Sequence, residues 1–395
     1  MKDLKHLIYF ESLLENADNE LVKQAQADGG IALGYTCYHV PEALLNVGNC
    51  FSVRLRAPNT GSIDIATYYM SNYTCEFARA LVERGIEGGY QFLDAMIGVD
   101  ACSMMNRAME HFEILKVNDK PNFFVTHCDI PYKITDYTLD SYVKQMRIHV
   151  LDKLTEVYGV DTSDAAIRQA VAEHNEVCSI ISEMAEMRKA ENPVITGYEF
   201  HVINLVTTSC PKYLIIDKLR DTLEELKTRE PDARPQYRCK VLLAGSENDD
   251  PDFTKLIESC GAEVVCDRYC YGAVESRIPI EIKEGDDPLY VIARHYLETS
   301  NCPRFMPQDE MRARKKRIAD LAKEYHADGV IVASNKFCEY WSYERVIDTV
   351  ILPRDFGLPV CSIEKEYINS ASGQLRTRFQ AFVESVEIKK IQEGK

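Results

Sequence analysis

The 395-residue sequence has no uninterrupted apolar run of about 18 residues, the length that a membrane-spanning helix needs. Its N-terminus also lacks the apolar stretch and small-residue cleavage site of a secretory signal peptide. Basic residues are outnumbered: 46 Lys and Arg stand against 62 Asp and Glu, a formal net charge of −16. Because nucleic-acid binding needs clustered cations, this balance argues against a nucleic-acid partner. We therefore expect a cytoplasmic protein with no membrane span.

Several catalytic signatures are also missing. The sequence contains no G-x-x-x-x-G-K-[ST] loop for a nucleotide triphosphate and no G-x-G-x-x-G run for a dinucleotide. It contains neither a G-x-S-x-G nucleophile turn nor an H-E-x-x-H zinc motif. No two cysteines have C-x-x-C spacing, which argues against zinc ribbons and ferredoxin-type cluster runs.

Short apolar segments alternate with helix-length segments in two separate blocks, a pattern typical of βαβ units and parallel sheets. A mostly helical stretch separates the blocks, and a polar, Pro-containing segment ends it. We predict an α/β fold with two parallel-sheet domains and a helical connecting segment: an N-terminal α/β domain at 1–135, a helical connector at 136–235 and a C-terminal α/β domain at 236–395. The predicted strands are Ile31–Tyr35, Cys50–Leu55, Phe92–Val99, Phe123–Thr126, Cys239–Gly245, Ala262–Cys266, Gly329–Ala333 and Leu358–Ile363. The predicted connector helices are Leu139–Tyr158, Asp164–Ala190 and Leu214–Lys227.

Fourteen cysteines are an unusual number for a chain expected in a reducing compartment. Five of them follow predicted strands: Cys37, Cys102, Cys128, Cys270 and Cys338. Ligands of open α/β sheets bind beyond the carboxyl ends of the strands, and thiolates there favour iron–sulfur clusters, zinc or copper(I). The spacing alone does not choose among these metals. A purely structural role remains the alternative, since a free cysteine often packs as a small buried hydrophobe.

Several motifs resemble those of the 2-hydroxyacyl-CoA dehydratase and benzoyl-CoA reductase superfamily, in the same order along the chain. The likeness extends from about Gly34 to Glu387. The motifs that carry it are Gly34–Cys37 with Val40–Glu42, Val53–Leu55, Cys75–Arg79, Phe92–Ala95 with Ala101–Ser103, Asn335–Tyr340 and Gln374–Phe382.

This resemblance implies two Rossmann-like domains with a [4Fe–4S] cluster between them, held by Cys75, Cys102 and Cys338. It also implies an oxygen-sensitive lyase that removes water from a 2-hydroxyacyl-CoA thioester. In such enzymes one electron reduces the thioester carbonyl to a ketyl radical, which expels the hydroxyl group. An ATP-driven iron–sulfur activator protein supplies the electron. The implied assembly is a heterodimer with a related sister subunit, or a homodimer.

Two residues depart from the family pattern. Tyr38 follows Cys37, where several substrate-binding members carry Ser, and Glu76 follows Cys75, where Pro is usual. The first difference puts the acyl-CoA pocket of this chain in doubt. A non-catalytic partner subunit that relays an electron is therefore an alternative function.

Two further segments resemble cysteine motifs of relatives that hold a double-cubane cluster and reduce small molecules. These segments are Tyr269–Gly272 and Asn301–Arg304. The second alternative is therefore a reductase with a double-cubane [8Fe–9S] cluster, for which Cys128, Cys270 and Cys302 are further candidate ligands. Cys37 is another candidate in that case.

Overall fold

Two four-stranded parallel sheets organise the chain, as a computed structural model describes it for residues 2–58, 60–300, 302–368 and 372–393. The first sheet has the order β2-β1-β3-β4 and the second the order β6-β5-β7-β8, so the two repeat one topology. Every neighbouring pair of strands is parallel. The strands are β1 Ile31–Tyr35, β2 Cys50–Arg54, β3 Ala95–Asp100, β4 Phe124–Asp129, β5 Cys239–Gly245, β6 Ala262–Tyr269, β7 Gly329–Asn335 and β8 Val360–Lys365.

Helices lie between the strands and fill the connection between the sheets. The helices are α1 Leu7–Leu13, α2 Glu20–Ala27, α3 Asp64–Tyr69, α4 Glu76–Ile86, α5 Ser103–Ile114, α6 Asp136–Met146, α7 Asp152–Tyr158, α8 Asp164–Met187, α9 Gly197–Ser209, α10 Lys212–Thr228, α11 Pro251–Ser259, α12 Ala273–Ser276, α13 Pro288–Glu298, α14 Gln308–Glu324, α15 Glu339–Phe356 and α16 Ser372–Gln392. A 3₁₀ turn occupies Glu42–Asn46 and a π-helical turn Arg147–Leu151. Within the described part of the chain, no helix combines the length and apolar character that a membrane span needs.

The predicted α/β class and the eight predicted strand positions are confirmed. Several boundaries were wrong: β3 begins at Ala95 and not at Phe92, and β4 and β6 continue three residues beyond their predicted ends, to Asp129 and Tyr269. Cys128 therefore lies inside β4 and does not follow it. The sequence also fails to predict α9. Nearly all residues of that helix are buried, so it has no polar face and gives no amphipathic period from which a helix can be predicted.

A buried ionic cluster joins three distant parts of the chain. Glu42, which is 3% exposed, accepts hydrogen bonds from Lys212 Nζ at 2.5 Å and Arg277 Nη1 at 2.8 Å. Glu42 belongs to the 3₁₀ turn after β1, Lys212 begins α10, and Arg277 directly follows α12. Burial alone would raise the pKa of the Glu42 carboxyl, but the Arg277 and Lys212 charges hold that pKa well below its usual range. The cluster therefore fixes the first sheet, the connector and the second half of the chain relative to one another.

The cluster gives a stability prediction. Glu42→Gln leaves two buried cations without their shared carboxylate, and we expect it to lower the free energy of unfolding by about 3–5 kcal/mol. Urea denaturation followed by far-UV circular dichroism measures the loss. Glu156→Gln is the matched control, because the pair that Glu156 forms with Lys153 is exposed and should contribute at most about 1 kcal/mol. Equal effects of the two substitutions would contradict this assignment.

Candidate functional site

The carboxyl ends of both sheets open onto one cavity of about 150 Å³. Its lining is mostly apolar and includes Phe77, Val99, Met105 and Trp341. Cysteines from both halves of the chain meet there: Cys37, Cys75, Cys102, Cys270, Cys302 and Cys338. The structure thus brings together all three residues of the predicted three-cysteine set and most of the additional candidates.

Three of these cysteines occupy the same local position. Cys75, Cys102 and Cys338 directly precede α4, α5 and α15 and are the N-cap residues of those helices. The first turn of a helix leaves backbone N–H groups unpaired, and the helix dipole places partial positive charge at that end. A thiolate formed at any of the three positions is therefore stabilised by its own helix.

The remaining three cysteines reach the cavity from loops. Cys37 lies two residues beyond β1 and Cys270 directly follows β6. Cys302 lies in the segment after α13. Ligand sites of this fold class lie at the point where the strand order reverses, here between β1 and β3 in the first sheet and between β5 and β7 in the second. The loops after these strands supply Cys37, Cys102 and Cys338.

Burial keeps the thiols protonated in the absence of a bound cation. It raises the pKa of Cys75 to about 12, while the backbone N–H groups of Ala78 and Phe77 act in the opposite direction. Burial also raises the pKa of Cys338 well above its usual range, and negative charge on Cys75 or Cys102 raises it further. The sulfurs are thus close enough to repel one another as thiolates. A bound group of positive charge among the sulfurs would offset both the cost of burying the thiolates and the repulsion between them.

A buried guanidinium next to the cavity has no carboxylate partner in the described residues. Arg304 is 0% exposed, and its Nη atoms donate to the main-chain oxygens of Pro131 at 3.2 Å, Asp100 at 3.1 Å and Ile130 at 3.3 Å. An unpaired buried charge is costly unless an anion lies nearby.

The nearby anionic positions are the cavity sulfurs. The Arg304 charge lowers the pKa values of Cys37, Cys102 and Cys302, opposing the larger effect of burial. The Arg304 charge therefore favours anionic sulfur at this site.

One contact joins the two halves of the chain beside the cavity, and a close approach within the second sheet borders it. Ser103 Oγ donates to Glu339 Oε2 at 2.5 Å, which ties the start of α5, beside Cys102, to the start of α15, beside Cys338. Gly245, at the end of β5, has φ +145°, and a Cβ there would lie 1.7 Å from the carbonyl oxygen of Ala333. Only glycine lets β5 and β7 approach so closely where they reach the site.

Two strained residues flank the cavity cysteines. Tyr271, after Cys270, has φ +67°, and Phe337, before Cys338, has φ +62°. A left-handed conformation in a residue other than glycine costs on the order of 1–3 kcal/mol and persists where the surroundings enforce it. The backbone beside Cys270 and Cys338 is thus held in a conformation that local preference does not favour.

Cys128 lies away from this cavity. It is buried in β4 and its thiol donates to the carbonyl oxygen of Gln145 at 3.8 Å. Cys178 lies within α8, with its sulfur 3.3 Å from His174 Nε2. Cys260 directly follows α11 and its thiol donates to the carbonyl oxygen of Arg376 at 3.8 Å.

Tyr38 also lines the cavity, but its hydroxyl group is engaged elsewhere. The hydroxyl is 2.6 Å from Thr299 Oγ1 and donates to the carbonyl oxygen of Glu275 at 3.2 Å. The ring packs against Tyr296, with 5.1 Å between centroids. The substitution that departs from the family pattern therefore fills space and bonds to protein atoms.

The chemistry of the donor set bears on which cofactor could bind. Among the described residues, no three His, Cys, Asp or Glu side chains are arranged to hold a metal ion. The six cysteines that line the cavity nevertheless supply thiol groups from both halves of the chain. Thiolates are the ligands that iron–sulfur clusters use. The buried Arg304 charge is the independent observation that agrees with such an anionic group.

Reasoning from residue positions finds Cys37, Cys102, Cys270 and Cys338 because each follows a strand. It does not single out Cys75, which lies far beyond the end of β2. The signal that finds Cys75 is a different one: a cysteine directly before an amphipathic helix.

Fold and site together define a two-lobed α/β protein with a thiol-rich centre between the lobes. A family model described as "2-hydroxyglutaryl-CoA dehydratase, D-component" matches residues 37–386. The chain belongs to this family. The family membership expected from the sequence motifs is thereby confirmed.

Curated relatives are similar over almost their whole length. The (R)-phenyllactyl-CoA dehydratase beta subunit of Clostridium sporogenes is 22% identical over 380 residues, which cover 95% of this chain and 97% of the relative. The (R)-2-hydroxyglutaryl-CoA dehydratase subunit beta of Acidaminococcus fermentans is 22% identical over 379 residues, 93% and 95% of the two chains. A benzoyl-CoA reductase subunit of Thauera aromatica is 21% identical over 340 residues, 85% and 86% of the two chains. A solved structure described as "crystal structure of SsGBP and GDP complex" covers 91% of this chain and 99% of its own at 12% identity, with a TM-score of 0.25 that is too low to indicate a shared fold.

The raised thiol pKa values give a prediction for the metal-free protein. Burial raises the pKa values of Cys37 and Cys75 to about 12, and only the thiolate reacts with alkylating agents. At pH 8 we expect both residues to react with iodoacetamide at least ~100-fold more slowly than in the urea-unfolded chain, where an ordinary thiol pKa of about 8.5 applies. Deprotonation increases with pH, so the rates should rise about tenfold per pH unit without a plateau below pH ~11.

Mass spectrometry of the two cysteine peptides provides the rates. Reaction at pH 8 as fast as in the unfolded chain would contradict the burial argument.

Proposed function

We propose that this chain is an iron–sulfur subunit of a 2-hydroxyacyl-CoA dehydratase-type enzyme, a lyase that removes water from an acyl-CoA thioester. The residues proposed to hold a [4Fe–4S] cluster are Cys75, Cys102 and Cys338. The single observation that carries the proposal is that these three helix N-cap cysteines line one cavity between the two sheets. The dehydratase and reductase subunits named among its relatives support the reaction class.

In this proposal the chain's own residues hold, balance and shield the site. The N-terminal N–H groups of α4, α5 and α15 stabilise the thiolates. Arg304 contributes the buried positive charge, and the bond between Ser103 and Glu339 keeps two of the ligating helix ends together. Apolar side chains such as Met105 and Trp341 limit the access of water. When bound, the cluster supplies a single electron at low potential.

The proposal includes partners as well as a cofactor. The names of its relatives as beta subunits support a related sister subunit. An ATP-driven iron–sulfur activator is the proposed electron source. The engaged Tyr38 hydroxyl leaves no free hydroxyl at the position where several substrate-binding members carry Ser, which favours the sister subunit as the holder of the acyl-CoA pocket. This chain would then relay the electron.

Iron content tests the cluster. Anaerobically reconstituted wild type should contain about four iron and four acid-labile sulfide atoms per chain. We expect Cys75→Ala, Cys102→Ala and Cys338→Ala each to lose most of this iron, because each removes one proposed ligand. Cys128→Ala is the matched control: it removes a buried thiol outside the cavity and should retain full iron content. A colourless, iron-free wild type would overturn the proposal.

Subunit mixing tests the electron-relay role. We expect no dehydration when this chain, the activator, ATP and candidate 2-hydroxyacyl-CoA substrates are combined, and turnover once the sister subunit is added. Product formation is measured by mass spectrometry. Turnover by this chain without a sister subunit would place the acyl-CoA pocket here instead.

The number of cavity cysteines supports a second candidate function, a reductase of small molecules with an [8Fe–9S] double-cubane cluster. Cys37, Cys270 and Cys302 line the same cavity as the three proposed ligands, which doubles the available thiols. For this candidate we expect about eight irons per chain. Cys270→Ser and Cys302→Ser should then lower the iron content. A content of about four irons, unchanged by both substitutions, would reject it.

A further inference from the structure

The only tryptophan of the sequence donates a hydrogen bond to the sulfur of a cysteine that lines the cavity. Trp341 is 4% exposed and lies in the first turn of α15, three residues after Cys338. Its indole Nε1–H donates to Cys270 Sγ at 3.1 Å. This contact joins α15, which begins at one cavity cysteine, to the loop after β6, which carries another.

A buried indole N–H usually finds a hydrogen-bond acceptor, and here the acceptor is the Cys270 sulfur. A neutral thiol sulfur is a weak acceptor, whereas a hydrogen bond to an anionic acceptor is shorter and about twice as strong. The nitrogen–sulfur separation of 3.1 Å places the indole N–H within hydrogen-bond distance of Cys270 Sγ. Negative charge on that sulfur, as in a metal-bound thiolate, would strengthen this bond.

Neighbouring charges fix the orientation of the indole ring. The Arg268 guanidinium lies 5.5 Å from the centroid of the Trp341 ring, a separation at which the cation is attracted to the ring face. Arg268 is itself held by Glu275, with 3.2 Å between Nε and Oε1. The direction of the indole N–H is therefore set by protein contacts before any cofactor binds.

We infer that Trp341 is a positioning residue whose indole N–H hydrogen-bonds a metal-bound Cys270 sulfur and so raises the reduction potential of the cluster held in this cavity. The inference rests on the second candidate function, in which Cys270 is among the cluster ligands. Hydrogen bonds to cluster sulfurs draw electron density from them, and the reduced state becomes easier to form.

Redox titration followed by electron paramagnetic resonance tests the inference. Trp341→Phe keeps an aromatic ring but removes the N–H, and we expect its midpoint potential to move to a more negative value than that of wild type. In a Cys270→Ala background the same substitution should produce no such shift, because the side-chain acceptor is gone. Tyr343→Phe is the matched control: Tyr343 lies on the same helix, is 68% exposed and should leave the potential unchanged.

A measurement without any substitution covers the case in which Trp341→Phe does not fold. Because the chain has one tryptophan, ¹⁵N-indole labelling marks this nitrogen alone. We expect a ¹⁵N hyperfine coupling to the reduced, paramagnetic cluster in pulsed electron paramagnetic resonance of the wild type.

The outcomes separate this inference from the proposed function. An iron-loaded wild type without ¹⁵N coupling overturns the inference alone, and so does a folded Trp341→Phe variant whose potential equals that of wild type. An iron content of about four per chain that is unchanged in Cys270→Ser overturns the inference and the second candidate function, and leaves the [4Fe–4S] proposal standing. A wild type that binds no iron overturns the proposed function and the inference together.

Discussion

The unfavourable burial of negative charge is the constraint on which this site depends. Thiolates are poorly tolerated in an apolar cavity, and mutual repulsion adds to that penalty where several sulfurs face one another. Three features of the chain act in the opposite direction: the amino ends of three helices, the Arg304 guanidinium and the indole N–H of Trp341. Each favours anionic sulfur, against the larger effect of burial that keeps the free thiols neutral. The metal group that we propose would shift this balance towards thiolates.

Repetition of one topology explains how distant residues reach a common centre. Each sheet has four parallel strands in the same order, and each directs the loops at its carboxyl edge into the cavity. The buried cluster around Glu42 holds the two halves in this arrangement, and the close approach of β5 and β7 at Gly245 shapes the second sheet beside the site. Placement of the cysteines thus depends on backbone packing and buried ion pairs as well as on the segments that carry the sulfurs.

Much of the fold and part of the site could be predicted from the sequence. Apolar strand runs locate all eight strands, and the strand-end rule finds Cys102 and Cys338 without any relative. The same rule misplaces Cys128, because β4 ends in polar residues and the end of the strand cannot be recognised from an apolar run. Cys75 can be predicted only from the family motif or from its position directly before an amphipathic helix.

The contacts of Arg304 and Trp341 could not be predicted from the sequence, for a different reason. Their roles are set by partners distant in the chain, such as Asp100 for Arg304 and Cys270 for Trp341, and a local pattern carries no trace of those contacts. The same holds for Glu42, whose two cationic partners come from other parts of the molecule.

The division of the cavity cysteines between both lobes has a consequence for biosynthesis. The amino-terminal lobe carries Cys75 and Cys102, whereas Cys338 follows β7, late in translation. Neither lobe alone supplies the three proposed ligands. The proposed cofactor could then be inserted only after the ribosome has released the last strands and the two lobes have docked. Cofactor insertion would be a late, post-translational step that depends on correct assembly of the lobes.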